Sequence, residues 1–312
     1  MTAQRLVILG GTGFVGSHLV PRLAADGHRI TLLSRNRELH RALGVLPNVS
    51  VRSADIYDDA ALRRQLEGAD AVINLIGILN SHGRHTFARA HVELTRRLID
   101  ACQATGVSRL HQMSSLKAGQ GLSQYLKTRG EAEVLVKASS LNWTIYQPSV
   151  IFGEGDGLVS RFATLLRRMP MLPLARAKSR MAPAYVGDVA EAIARCVNDD
   201  KLSQRRSFEL YGPEVLTLGE IVRKIRDTAG LRTPIIPLHD SLGRLQAQVA
   251  GLLPGKPFSL DNFRSLRTDS VGKVDGYAAL DIVPQPLTPW LPQLLHAGPR
   301  QYRLDQWRGR GR

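Results

Sequence analysis

A parallel, doubly wound α/β sheet is the fold class this sequence predicts, and three observations predict it. Short apolar runs recur along the first half of the chain ("RLVILG", "HRITLLS", "VSVRSAD", "AVINLIG", "RLHQMSS", "NWTIYQPSVIFG"). Segments of helical periodicity separate them, which gives βαβ units and therefore parallel pairing. The first unit carries Gly10, Gly13 and Gly16 between its strand and its helix.

The elements follow in order. "RLVILG" leads into an amphipathic stretch from Phe14 to Ala25, and two further strands precede a polar helix near residues 58–67. "AVINLIG" is the fourth strand, followed by a long helical segment from about Phe87 to Thr105. "RLHQMSS", a helix carrying Tyr125, and "NWTIYQPSVIFG" complete the regular part. Beyond residue 152, proline and glycine punctuate shorter segments ("MPMLPLA", "YGPE", "LLPGKP", "IVPQPLTPWLP"). The expected division is a nucleotide-binding domain over 1–152. A smaller mixed substrate or partner region over 153–312 packs on the C-terminal edge of the sheet and ends in a basic tail.

Composition narrows the function classes. With 312 residues and 43% hydrophobic content the chain can bury a full core. Its two cysteines, Cys102 and Cys196, lie in no metal-type spacing, so inert thiols in a reducing compartment are expected, with no metal. The first strand begins so near Met1 that no signal or transit peptide is expected. The longest apolar run, "AVINLIGIL", is about half of the ~20 residues that span a bilayer. A soluble or peripheral protein follows, cytoplasmic or lying on the inner membrane. The net charge of +15 and pI near 10.5 call for an anionic partner. Zinc-finger spacings and base-stacking aromatic motifs are missing, so no specific nucleic acid is expected.

The glycines point to one anion in particular. In "LGGTGFVGSHL" the residues Gly10, Gly11, Thr12, Gly13, Phe14, Val15 and Gly16 form the turn from strand to helix. Side chains there would block the tight turn and hold the backbone away from a pyrophosphate resting on the helix N-terminus. A Rossmann-type dinucleotide site is the consequence. At the end of the second strand, where an NAD site carries an acidic residue for the ribose, "LLSRNR" offers Ser34, Arg35 and Arg37. These suit a 2′-phosphate and favour NADP(H); solvated surface arginines are the bland alternative. Asp55 and Ile56, after the third strand, are candidates to face the adenine, although Asp55 could instead cap the helix near Asp58. Leu75, Ile76 and Gly77, in "NLIG", would run beside the ribose and nicotinamide, and Pro148 closes the sixth strand at the same edge.

Together, "GGTGFVG", "NLIGIL", "SSLKA", "YLKTRGEAE", "QPSVIFG", "AYVGDVAEAI", "LLPGKPFSLDNFRSLRTDSV" and "ALDIVPQPL" resemble the atypical short-chain dehydrogenase/reductase family. Within it the likeness is to the nucleotide-binding accessory subunits of respiratory complex I and their bacterial relatives. The resemblance implies an NADPH-binding Rossmann domain, with a nucleotide often held for structure rather than turned over. It also implies work with respiratory-chain or ubiquinone-biosynthesis proteins at a membrane surface.

The same resemblance raises the question of chemistry. Catalytic members of the wider family use a tyrosine followed four residues later by a lysine, with a serine at the end of the fifth strand. Here Tyr125 is followed by Arg129, and the serine is Ser114 or Ser115. On a helix Tyr125 and Arg129 share a face, whereas Lys127 points elsewhere. Arginine keeps the charge but brings a planar fork of different donor geometry. Binding is therefore expected over hydride transfer, with Tyr125 and Arg129 as ribose contacts. An active NADPH-dependent reductase or isomerase on a quinone or isoprenoid-like carbonyl is the alternative, and a nucleotide-sensing regulator without chemistry a third.

Two features bear on partners. Leu238, Leu242, Leu245, Val249 and Leu252 form one apolar stripe, read first as core-facing and alternatively as a surface that meets lipid or protein. The tail "RQYRLDQWRGRGR" mixes Arg300, Arg303, Arg308, Arg310 and Arg312 with Tyr302 and Trp307, which suits an anionic headgroup layer or a solvated tail.

Overall fold

The computed structural model describes residues 2–35, 43–252 and 258–296. The chain runs β1 (Arg5–Leu9), α1 (Phe14–Ala25), β2 (Arg29–Ser34), β3 (Val49–Ser53), α2 (Asp59–Leu66) and β4 (Ala71–Asn74). A π-helical turn (Ala88–Glu93) then leads into α3 (Leu94–Thr105), followed by β5 (Arg109–Met113), α4 (Gln124–Ala138) and β6 (Asn142–Pro148). Next come β7 (Ile151–Phe152), α5 (Val159–Arg168), β8 (Leu172–Leu174), β9 (Arg180–Met181) and β10 (Ala184–Tyr185). The elements α6 (Val186–Asn198), α7 (Asp200–Ser203) and β11 (Arg206–Leu210) follow, then β12 (Leu216–Thr217), α8 (Leu218–Thr228) and β13 (Ile235–Pro237). The last are α9 (Asp240–Leu252), α10 (Leu260–Ser265) and α11 (Leu291–His296).

Two compact units result, and the chain crosses between them repeatedly. The first comprises Met1–Pro148, Val186–Leu210 and Gly272–Val283; the second takes Ser149–Tyr185, Tyr211–Val271 and Pro284–Arg312. A single boundary at residue 152 is therefore replaced by a first crossing at Pro148 and two returns. β11 is what brings the chain back: "RSFEL" pairs in parallel with β6, from Arg206 opposite Thr144 to Leu210 opposite Pro148. Its short, half-polar pattern carries little strand signal of its own.

The first unit is a seven-stranded parallel sheet in the order β11-β6-β5-β4-β1-β2-β3. The order reverses at β1, whose neighbours are β2 on one side and β4 on the other. Ligands of open α/β sheets bind at such a point, beyond the carboxyl ends of the strands. All four residues of β4 are buried, as expected of a strand covered on both faces. α1 buries Gly16, Leu19, Val20, Leu23 and Ala24, a stripe of helical period. The expected helix from Phe87 begins instead as a π-turn, and the regular helix starts only at Leu94.

The second unit has its own core, in which Phe152, Leu166, Leu172, Met181, Ile221, Val222 and Leu291 are buried together. Helix α8 starts in a capping box: the Thr217 hydroxyl accepts from the Glu220 amide at 3.2 Å, and the Glu220 carboxylate accepts from the Thr217 amide at 2.7 Å. Among the described residues no helix is long and apolar enough to cross a membrane, and no cluster could hold a metal ion.

Candidate nucleotide site

The loop after β1 has the geometry its glycines predict. Gly10 has φ of +75°, the left-handed region that only glycine enters freely, and its carbonyl accepts from the Gly13 amide at 3.0 Å. A Cβ on Gly16 would lie 2.3 Å from the Gly11 carbonyl oxygen and 2.4 Å from its carbon, so helix and loop touch backbone to backbone. α1 begins at Gly13 with no side-chain cap and no acid in its first turn. Its N-terminus is thus a positive dipole end with no acid of its own first turn set against it, which suits a pyrophosphate. Phe14 packs edge-on against the His18 ring at a centroid distance of 5.9 Å, while Thr12 and Val15 are half-buried beside the loop.

β2 and β4 supply the flanks. Leu9 pairs with Leu33 on one side and with Asn74 on the other, so Ser34 and Arg35 emerge beside Gly10. Described residues at this strand end are Ser34 and an exposed Arg35, whose guanidinium meets the His85 ring at 3.4 Å. Arg37 lies outside the described residues. Across the loop, the Leu75 amide donates to the Leu9 carbonyl at 2.9 Å, and a Cβ on Gly10 would stand 3.1 Å from the Ile76 nitrogen. The "NLIG" backbone therefore borders the glycine turn directly. Buried Asn74 shapes it, accepting from the Ile76 amide at 3.1 Å and donating to Gln112 at 3.0 Å.

Asp55 does not cap α2. Asp58 does, accepting from the Ala61 amide at 3.0 Å, because its backbone is the extended residue just ahead of the helix. Asp55 is exposed and closes a local turn to the Tyr57 amide at 2.9 Å, while Ile56 packs on the hydrophobic core. Pro148 is buried, and its carbonyl accepts from Leu116 at 2.8 Å.

Arg129 is the centre of the remaining site. Its guanidinium is buried, donating to the Met113 carbonyl at 2.8 Å and the Ile76 carbonyl at 3.4 Å, so it ties together the carboxyl ends of β4 and β5. A Cβ on Gly77 would lie 2.2 Å from its Nη2. Gly77 is thus the opening through which the fork reaches the sheet edge. The Nε of Arg129 and the hydroxyl of Ser115 are buried without a hydrogen-bond partner. Orphaned polar atoms at a sheet edge are what a bound polar ligand satisfies.

Tyr125, on the same helix face, lies 5.6 Å from the Arg129 guanidinium, measured from its ring centroid. Phe87 and His91 frame its ring at centroid distances of 6.0 and 5.6 Å, both edge-on. Phe87 and His91 were not anticipated from sequence; their four-residue spacing was a signal, but the π-turn that turns His91 toward α4 had none. The Thr128 hydroxyl donates its proton to the Gln124 carbonyl at 2.8 Å, so His91 Nδ1, 2.9 Å away, must be the donor to Thr128. That leaves Nε2 as a buried lone pair with no partner. Burial, reinforced by the Arg129 charge, pushes the His91 pKa down to about 2. His91 is neutral at physiological pH and adds no cation beside Tyr125.

Ser114 belongs to a different network. It donates at 2.6 Å to Glu133, which also accepts from Gln147 at 2.7 Å and pairs with Lys137 at 3.0 Å. Of the two serines considered, Ser115 has the uncommitted hydroxyl. Cys102 and Cys196 are buried with pKa values pushed up to about 12 by desolvation, as inert thiols should be.

A left-handed glycine turn at the switch point of a parallel sheet, leading into an uncapped helix, defines a dinucleotide-binding protein of the Rossmann class. The chain belongs to the NAD(P)H-binding family, whose profile matches residues 10–200. It is 27% identical over 298 residues to NADH dehydrogenase (ubiquinone) 1 alpha subcomplex subunit 9, mitochondrial, of Arabidopsis thaliana, covering 90% of this chain and 74% of that one. It is 33% identical over 193 residues to the ceramide reductase of Caulobacter vibrioides, covering 61% of this chain and 60% of the reductase. Its fold matches that of an NADPH-dependent quinone oxidoreductase from Escherichia coli, complexed with NADPH, with a TM-score of 0.75 at 20% identity over 93% of this chain and 99% of that one. The resemblance to atypical short-chain reductases and to complex I accessory subunits thus holds.

Proposed function

We propose that the protein holds NADP(H) as a long-lived structural ligand and works beside respiratory complex I or ubiquinone-biosynthesis proteins, without turning the nucleotide over. The observation that carries this is Arg129. A catalytic lysine presents a mobile ammonium to the ribose and the tyrosine, whereas this guanidinium is anchored on two backbone carbonyls. Its Nη1 is committed to holding the ends of β4 and β5, and a planar fork so fixed does not offer the compact, mobile ammonium of the catalytic pair. The bound nucleotide would supply hydride chemistry where a substrate reached it. This chain's residues, by contrast, are arranged to orient it: the glycine turn for the pyrophosphate, Ser34 and Arg35 for a 2′-phosphate, Tyr125 for the ribose. The second unit takes the partner-facing role, at or near the inner membrane.

An active NADPH-dependent reductase on an apolar quinone or isoprenoid-like carbonyl is the alternative, favoured by the orphaned Ser115 hydroxyl. One preparation separates the two. The purified protein is expected to carry NADPH that survives gel filtration, keeps its reduced-nicotinamide absorbance when ubiquinone analogues are added, and binds in preference to NADH. Arg35→Asp should erase that preference. Steady oxidation of the bound NADPH that disappears in Tyr125→Phe, with affinity unchanged, establishes the reductase instead.

A further inference from the structure

Helix α9 is inside out with respect to its apolar pattern. Its buried positions are the small residues Gly243 and Ala247, which lie against Ala175 and Phe263, and Gln246 is anchored to the Pro173 carbonyl at 2.8 Å. Its large aliphatic side chains point outward: Leu242 and Leu245 are each 55% exposed, Val249 57% and Leu252 87%. Spacings of three, four and three residues put these four on one narrow arc, with Ser241, Arg244 and Gln248 along its polar margin. Isolated exposed leucines are ordinary, but a continuous row of them on one helix face is a contact surface.

We propose that this face inserts into the headgroup layer of an anionic lipid bilayer. Charge complementarity selects that occupant. Among the described residues the second unit, which bears α9, carries thirteen Lys and Arg against eight Asp and Glu, a net positive charge. Arg244 on α9, and Arg264 and Arg267 on or just after the neighbouring α10, are exposed. The acid at the start of α9, Asp240, is neutralised by Arg176 at 2.9 Å. The chemistry of the row points the same way. The centres of interfaces between proteins are enriched in Trp, Tyr and Arg and poor in Leu and Val, whereas this row is purely aliphatic, a composition that an acyl-chain boundary accepts. Cations beside it supply attraction that acts before contact and is weakened by salt.

The test places a reporter in the row of the full-length protein. Val249→Cys, labelled with a polarity-sensitive thiol dye, reacts selectively because Cys102 and Cys196 are buried with pKa values of about 12. On phosphatidylcholine vesicles containing phosphatidylglycerol the dye emission should shift to the blue and be quenched by lipids brominated on the upper acyl chain. Leu245→Asp with Val249→Asp should weaken vesicle binding at least tenfold while leaving the melting temperature and NADPH affinity unchanged, since both side chains face outward. Unchanged vesicle binding by that double variant would overturn the proposal. So would a label that shifts only as the protein self-associates, with no response to vesicles, because the row would then bind a second copy of the chain.

Discussion

Gly16→Ala tests the glycine turn most directly. The added Cβ would be 2.3 Å from the Gly11 oxygen and 2.4 Å from its carbon and Cα, with no side chain that can swing away. Reaching an ordinary contact of about 3.5 Å moves the start of α1 and the loop apart by roughly 1 Å. Overpacking of this kind costs about 1–3 kcal/mol of stability. The larger effect is on the ligand, because the same displacement removes the helix N-terminus from the pyrophosphate. Losing two charge-assisted hydrogen bonds at about 1.5–3 kcal/mol each weakens binding by at least about 100-fold. Fluorescence titration with NADPH, alongside thermal melts of the apoprotein, measures both. Gly27→Ala is the control: its φ is +83° with nothing within 4 Å, so it should lose about 1–2 kcal/mol of stability and no affinity. NADPH binding by Gly16→Ala within threefold of the parent would refute the placement of the pyrophosphate on this turn.

Three further outcomes follow from the site. Gly77→Ala should push the Arg129 guanidinium off the Met113 carbonyl at a cost of about 3–5 kcal/mol, and most of that loss should vanish in an Arg129→Lys background; strictly additive denaturation energies would show that the two positions do not meet. Ser114→Ala should destabilise by about 1.5–3 kcal/mol by depriving Glu133 of a donor, whereas Ser115→Ala should be close to neutral in stability, so equal effects in urea melts would contradict the two environments. His91 and His111 are held neutral by burial, with pKa values lowered to about 2 and about 3. Below the unfolded value near 6.5, protons bind the unfolded chain but not the native one, so their stabilisation is complete above that pH and declines as pH falls. Each should cost about 1 kcal/mol between pH 7 and 5.5, and His91→Gln should flatten the pH dependence of unfolding by that share.

The sequence by itself determined the six strands β1 to β6 of the sheet and the glycine turn. Alternating apolar runs and helical periods are local signals, and the reasons for Gly10 and Gly16 are local too: a left-handed φ and a helix that starts against its own loop. The α1 limits, Phe14 to Ala25, were legible for the same cause. Tertiary structure decided the rest. Whether α9 shows its leucines or its glycine to the interior depends on Ala175 and Phe263, residues remote in sequence that accept only small neighbours. Arg129 reads on its helix as a substitute for lysine. Its actual commitment comes from Met113 and Ile76, the ends of two strands that become neighbours only when the sheet forms, and from the space left by Gly77. The return of β11 to the first sheet was hidden likewise, because a short edge strand draws its stability from the partner it pairs with rather than from its own five residues.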